Sequence, residues 1–220
     1  YIICETISLS DDKIQTKMTF QVKISKKLVP YKAAFSFLKK RVELVKKSKG
    51  RELIWILEHP LTFTGGIRSK ENEVLDKKIK IVKTNRGGKI TLHSPGQKIV
   101  YFVLNLNKRK KDIKNLVKQI ELSIIGFLKL YKIKSHADQK NIGIWVKNKK
   151  IAAIGIRVSN WVAYHGFSIN INNNLNYYKK IIPCGLRKKK VTSIKIESNY
   201  KVYNTEKKLK NIFLKNLKNI

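Results

Sequence analysis

The chain has 220 residues, room for one sizeable domain, and 42% of them are hydrophobic, enough for a real core. With 49 Lys and Arg against 14 Asp and Glu the formal charge is +35, a field that favours acidic partners. Two cysteines far apart make neither a disulfide framework nor, alone, a zinc site; no apolar run reaches the roughly 20 residues that cross a bilayer, and no secretory signal is visible.

Only seven of the cations are arginine (Arg41, Arg51, Arg68, Arg86, Arg109, Arg157 and Arg187), and the rest are lysines amid much Ile and Asn. An AT-rich genome imposes that pattern on solvent-facing positions, so the charge alone names no partner. A nucleic-acid-binding module would interleave arginines and aromatics on one face, and these lysines are scattered.

Taken in chain order, residues 18–26 alternate as a strand does. Pro30 opens a helix carrying Ala34, Leu38, Val42 and Val45 at three- and four-residue spacing, and Gly50 closes it. The apolar run 53–59 reads as a strand buried on both faces. A loop with Gly65 and Gly66 precedes strands at 79–84, 89–93 and 98–106, the last two joined through a Pro95–Gly96 turn. The clearest helix, 111–131, sets Ile113, Leu116, Val117, Ile120, Ile124, Phe127, Leu128 and Tyr131 in one stripe. Strands at 142–146, 150–158 and 161–171 follow, then a polar loop at 170–174 and a final helix near 205–218 with Thr205 as its candidate cap. Helices and strands mix without a strict βαβ rhythm, which predicts a single α+β domain over 1–220 with a mixed sheet and flanking helices.

Three stretches invite chemistry. In 86–97, RGGKITLHSPGQ, paired glycines let backbone amides approach a ligand, and Arg86 can pair with a carboxylate, phosphate or carbonyl. A tight turn explains the same Gly and Pro, and His93 by itself reads first as a half-buried structural histidine. Lys150 opens the strand KIAAIGIRV, where Ala152, Ala153 and Gly155 leave room for something to lie along the backbone; a lysine at a strand end is most often simply exposed. Cys184 sits between Pro183 and Gly185, held on a turn rather than packed in a core.

In this order and at these spacings, RGGKITLHSPGQKIVYFVLNL, KIAAIGIRVSNWVAYHGFSIN and IIPCGL, with ILEHPLTFTGG upstream, resemble the lipoyl(octanoyl) transferase family over about residues 31–195. The resemblance implies the fold of the biotin and lipoate protein ligase catalytic domains. It implies Cys184 as the acyl-thioester nucleophile and Lys150 as the lysine that lowers its pKa. It implies three substrate-binding stretches: Arg86, Gly87, Gly88, Lys89, Ile90, Thr91, Leu92 and His93; Ala153, Ile154 and Gly155; and Gly166, Phe167 and Ser168. The implied reaction moves octanoyl from octanoyl-acyl carrier protein to a lysine of lipoyl domains, those of 2-oxoacid dehydrogenases and the glycine cleavage H protein. It uses no metal, cofactor or nucleic acid and no membrane insertion, and a monomer is expected. The place would be the cytoplasm of a bacterium, or an organelle of a eukaryote after loss of a leader. An ATP-using lipoate or biotin ligase is the alternative within the fold; it has no cysteine nucleophile. The sequence departs from the family at Ser94, where glycine is usual, and at Gly65–Gly66, where bulkier residues are usual.

Overall fold

The computed structural model describes residues 2–11, 14–138, 140–182 and 190–220, with side chains described outside 9–19. Ala34, Leu38, Val42 and Val45 are buried as one face of α1 (Tyr31–Lys46). They pack on one face of a sheet whose other face meets two other helices. The strands are β1 (Ile2–Asp11), β2 (Ile14–Ser25), β3 (Glu52–Leu57) and β7 (Gln97–Asn105), with β8 (His136–Ala137), β9 (Ile144–Val146), β10 (Lys149–Ser159) and β11 (Val162–Asn170). They lie in the order β1-β2-β3-β7-β11-β10-β9-β8, and β12 (Lys190–Val191) adds to β10. Pairing is antiparallel except for β2 with β3 and β12 with β10, so the sheet is mixed, as expected. A second sheet holds β5 (Ile81–Lys83), β4 (Thr62–Gly65) and β6 (Ile90–His93), in that order.

Alternation sorts the side chains into two cores. Leu53, Trp55, Leu57, Tyr101 and Val103 meet α1. Ile54, Ile56, Val100, Phe102 and Leu104 meet α2 (Ile113–Lys129) and α4 (Thr205–Leu217) on the opposite side, with a single turn, α3 (Ile194–Glu197), beside them. The central strands β3 and β7 are buried on both faces, and each large apolar side chain there contributes about 1.5–3 kcal/mol.

Some boundaries differ from the sequence reading. β1 was not anticipated; it pairs antiparallel with β2, whose register runs Ile2 to Ser25 through Leu9 to Met18. The loop expected at Gly65–Gly66 begins as the short strand β4. Thr205 is the first residue of α4 rather than its cap: Asn204 precedes it in the left-handed region (φ 50°), which asparagine tolerates. Asp112 does cap α2, its carboxylate accepting from the Asn115 N–H at 2.9 Å.

Where β3, β7 and the turn after β7 meet, Glu52 is buried with Arg109. The guanidinium holds both carboxylate oxygens, at 2.6 and 2.7 Å, and the Asn105 N–H donates to Glu52 Oε1 at 2.5 Å. Removing one partner strands the other charge, which costs about 3–5 kcal/mol, whereas an apolar pair of similar volume is often tolerated. Urea unfolding is expected to show Glu52→Gln losing about 3 kcal/mol, and Glu52→Leu with Arg109→Met recovering most of it.

Candidate active site

An open cavity of about 760 Å³ lies against the middle of β10 and β11 and is lined also by the 86–89 loop and by residues 140–142. Of the residues that the sequence pattern singles out, Arg86, Gly87, Gly88, Lys89, Thr91, His93, Lys150, Ala153, Ile154, Gly155, Gly166, Phe167 and Ser168 line it. Ile90 and Leu92 do not: β6 alternates, and these two turn into the small core with Phe63, Tyr178 and Ile181. Cys184 lies in Pro183–Lys189, outside the described residues.

The loop is docked on the sheet through its backbone. Gly87 N–H donates to the Ile156 carbonyl at 3.2 Å, and the Arg68 N–H to the Gly88 carbonyl at 3.0 Å. Arg86 points away from the solvent. Its Nη2 donates to the Thr64 carbonyl and hydroxyl, both at 2.8 Å, and Nη1 to the Gly87 carbonyl at 3.0 Å. The side chain thus stitches the loop to β4. A β-carbon on Gly66 would lie 2.4 Å from the Gly88 carbonyl oxygen, so the departure from the family pattern at that position suits this loop.

Lys150 is buried, with 8% of its surface exposed, against the ordinary expectation for a strand-end lysine. Its Nζ donates to the Ile142 carbonyl at 2.8 Å and stands 5.3 Å from the centre of the Trp145 ring. The carbonyl oxygen accepts from the side chain, and the ring face lies within reach of its charge. Gly143 makes the seat possible: at φ 139° it takes a backbone shape side chains avoid, and a β-carbon there would meet Lys150 Cε at 2.4 Å and the Ala152 carbonyl oxygen at 2.7 Å. The isolated glycine inside the run IGIWV is the one sign of this in the sequence, since a glycine within a strand pattern marks close backbone approach. Arg68, Val117, Lys140, Asn141, Ile142 and Ile156 also line the cavity and carry no motif of their own.

Two backbone features bring the chain on either side of Cys184 to this place. Ile182 N–H donates to the Glu73 carbonyl at 2.7 Å. Beyond the undescribed stretch, β12 pairs in parallel with β10, Val191 opposite Lys150, and Thr192 N–H donates to the Lys150 carbonyl at 2.9 Å.

Beneath the cavity lies a layer of rings. His93 stacks on Tyr31 and meets His59 edge-on, and His165 stacks on Phe35. Hydrogen bonds fix each imidazole. His59 Nδ1–H donates to the Val29 carbonyl, leaving Nε2 to accept from the Tyr101 hydroxyl at 2.9 Å. Gln97 donates its amide to Asn170 Oδ1 at 2.9 Å and to the Tyr178 hydroxyl at 3.1 Å, so its oxygen accepts from His93 Nδ1–H at 2.8 Å. His165 Nε2–H donates to Asn85 Oδ1 at 2.7 Å. Burial first, then neighbouring cations and, for His93, His59, push His93 and His165 down to about 3. Burial, partly offset by the Val29 bond, takes His59 to about 4. All three imidazoles are therefore neutral at pH 7.

Unfolding frees them to titrate near 6.5, so the unfolded chain takes up more protons and stability falls as pH drops from about 6.5 toward 4. Each imidazole adds up to about 1.4 kcal/mol per pH unit to that slope. Urea unfolding at a series of pH values is expected to show steady loss below pH 6, and His59→Gln is expected to remove one proton's share of the slope near pH 5.

The profile of the lipoyl protein ligase A/B catalytic domain matches residues 30–217. The chain is 44% identical over 177 residues to an octanoyltransferase of Wolbachia sp. subsp. Brugia malayi (strain TRS), covering 78% of this chain and 86% of that one. It is 42% identical over 178 residues to the octanoyltransferase of Anaplasma marginale strain Florida, covering 78% and 83%. Among solved structures, lipoate-protein ligase A bound with ATP superposes with a TM-score of 0.69 at 13% identity, over 88% of this chain and 84% of that one. A bi-partite lipoate protein ligase of Thermoplasma acidophilum gives 0.67 at 13%, over 88% and 82%. At such identity these last two speak for the fold alone, and they agree with the layers described above. The sequence relatives speak for more: the chain belongs to the lipoyl protein ligase A/B catalytic-domain family and is an acyltransferase alongside its octanoyltransferase relatives.

Proposed function

We propose that this enzyme takes octanoyl from octanoyl-acyl carrier protein onto Cys184 and passes it to a lysine of a lipoyl domain. The observation that carries the reading is the pairing of β12 with Lys150: seven residues beyond Cys184 the chain is in register with the buried lysine that lines the cavity. The relatives named octanoyltransferase supply the acyl group. The cavity walls at Ala153, Ile154, Gly155 and Phe167 suit a saturated chain.

The chemistry runs in two displacements. A free thiol titrates near about 8.5 and is mostly protonated at neutral pH; an ammonium close by favours the thiolate. The Cys184 thiolate attacks the donor's thioester carbon, a new C–S bond forms, and the donor thiolate leaves with a proton from the Lys150 ammonium. The acceptor amine then attacks the acyl-enzyme and its C–N bond forms. Its proton passes to the now neutral Lys150, and the Cys184 thiolate departs. Atoms and charge return to the starting state, and no ATP is consumed because the thioester is already activated. His93 and His165, neutral and buried, orient groups and transfer no proton in either step.

Intact mass after mixing with octanoyl-acyl carrier protein and no ATP is expected to rise by one octanoyl group, and Cys184→Ala to abolish both the adduct and turnover. Adduct formation from octanoate and ATP alone would instead establish the ligase chemistry. Alkylation of Cys184 by iodoacetamide against pH tests the lysine. In the wild type the rate is expected to level off at lower pH; in Lys150→Ala it should keep rising toward about 8.5. Lys150→Arg, charged yet unable to release its proton, is expected to form an acyl-enzyme that persists in the presence of acceptor. An unchanged alkylation profile in Lys150→Ala would remove Lys150 from the mechanism.

A further inference from the structure

The cavity carries more positive charge than an acyl chain needs. Arg68, Arg86, Lys89, Lys140 and Lys150 line it, and no carboxylate does among the described residues. Three of these have visible employment. Arg86 is turned into β4, Lys89 pairs with Glu73 at 2.8 Å, and Lys150 is seated on the Ile142 carbonyl. Arg68 and Lys140 are exposed and have no ion-pair partner among the described residues.

Both stand on fixed backbone. Arg68 N–H is tied to the Gly88 carbonyl at 3.0 Å. The Asp138 carboxylate accepts from the N–H of Lys140 at 2.9 Å and of Asn141 at 3.1 Å, and from the Asn141 amide at 2.9 Å. The two cations therefore reach the cavity from separate, pinned loops, one leaving β4 and one entering β9. An octanoyl thioester is neutral, and the apolar wall satisfies its chain, so these charges match something else that enters with it.

We propose that Arg68 and Lys140 hold a phosphate ester borne on the thiol that delivers the acyl group, at the mouth of the cavity; this rests on the thioester reading above. A guanidinium offers paired N–H donors to phosphate oxygens, and an ammonium adds a movable point charge. The phosphate could belong to a free cofactor thiol or to a carrier protein's prosthetic arm, which present the same group.

The test follows acyl-enzyme formation without acceptor, by intact mass, from octanoyl-pantetheine, octanoyl-phosphopantetheine, octanoyl-coenzyme A and octanoyl-acyl carrier protein. In the wild type the phosphorylated arm is expected to react about tenfold faster than octanoyl-pantetheine, the scale of one charge-assisted contact. Arg68→Gln with Lys140→Gln is expected to bring that ratio close to one, and Arg68→Lys with Lys140→Arg to keep most of it, which a merely structural effect would not. The same loss with coenzyme A and carrier protein assigns the contact to the phosphate from either source; loss with the carrier protein alone assigns it to the protein-borne arm. A wild-type ratio near one, or a ratio that survives in the Gln variants, overturns the proposal. In a second assay with acceptor domain added, a change in the Gln variants confined to the KM for that domain overturns it too, giving these cations to the acceptor. Should octanoyl-pantetheine, like every other donor, leave Cys184 unmodified, the thioester reading itself falls and this proposal with it.

Discussion

Gly155 and Gly166 face each other across β10 and β11, and the site exists because neither has a side chain. A β-carbon on Gly166 would lie 1.9 Å from the Val100 carbonyl oxygen of the neighbouring strand, and one on Gly155 would lie 3.3 Å from the Gly87 carbonyl oxygen. The first contact sets how closely β11 can lie on β7, and the second how closely the 86–89 loop can lie on the sheet. The bare patch they leave is where the loop rests, bonded by Gly87 to Ile156, and where the cavity opens. The step before it is also unusual. His165 takes φ 70°, which breaks the alternation of β11 and sets its ring beside that of Tyr164, 4.9 Å between centres and nearly parallel. Strict alternation would have sent an imidazole into the larger core, among Ala163, Phe167 and Phe213. Backbone strain of this kind concentrates at functional sites.

Polar groups beneath the cavity form one connected layer. From His93 the bonds run through Gln97 to Asn170 and Tyr178, and Asn170 donates to the Thr192 carbonyl at 2.9 Å. Buried polar side chains cost several kcal/mol unless paired, and a fully paired network favours one arrangement over others. This one links the wall of the cavity at His93 to Tyr178 before the Cys184 segment and to Thr192 after it. The lysine seat works on another principle, a carbonyl and an aromatic face set around a charge in a protein already at +35.

Local pattern carried much of this into the sequence. The stripes of α1 and α2, the doubly buried β3 and the Pro95–Gly96 turn are period and punctuation, and both are visible in one chain. The stretches 86–93, 153–155 and 166–168 stand out in the sequence through their glycines and through resemblance, and they line one cavity apart from Ile90 and Leu92, which strand alternation turns inward. What stayed hidden is what depends on distant pairing. Nothing near Lys150 in sequence announces that Ile142 and Trp145 will cradle it, because that contact is made by β9 folding back on β10 with an irregular register at Lys150–Ala152. Nor does Arg109 advertise its bond to Glu52, 57 positions away. The edge strand β1 escaped because, among its described side chains, Ile7 alone packs against a core, so burial left little pattern to read.

The match to the family begins at residue 30, yet the fold does not. Phe20, Val22 and Ile24 of β2 are almost wholly buried in the core shared with α2 and α4, and β2 runs parallel to β3 from Phe20–Glu52 to Ile24–Ile56. Excising everything ahead of the family boundary would leave three holes in that core and turn β3, apolar on both faces, into a bare edge. An edge of that kind is a template for unwanted strands from other copies. The part of this chain with the least familiar sequence is thus what keeps its most hydrophobic strands from pairing with their neighbours in solution.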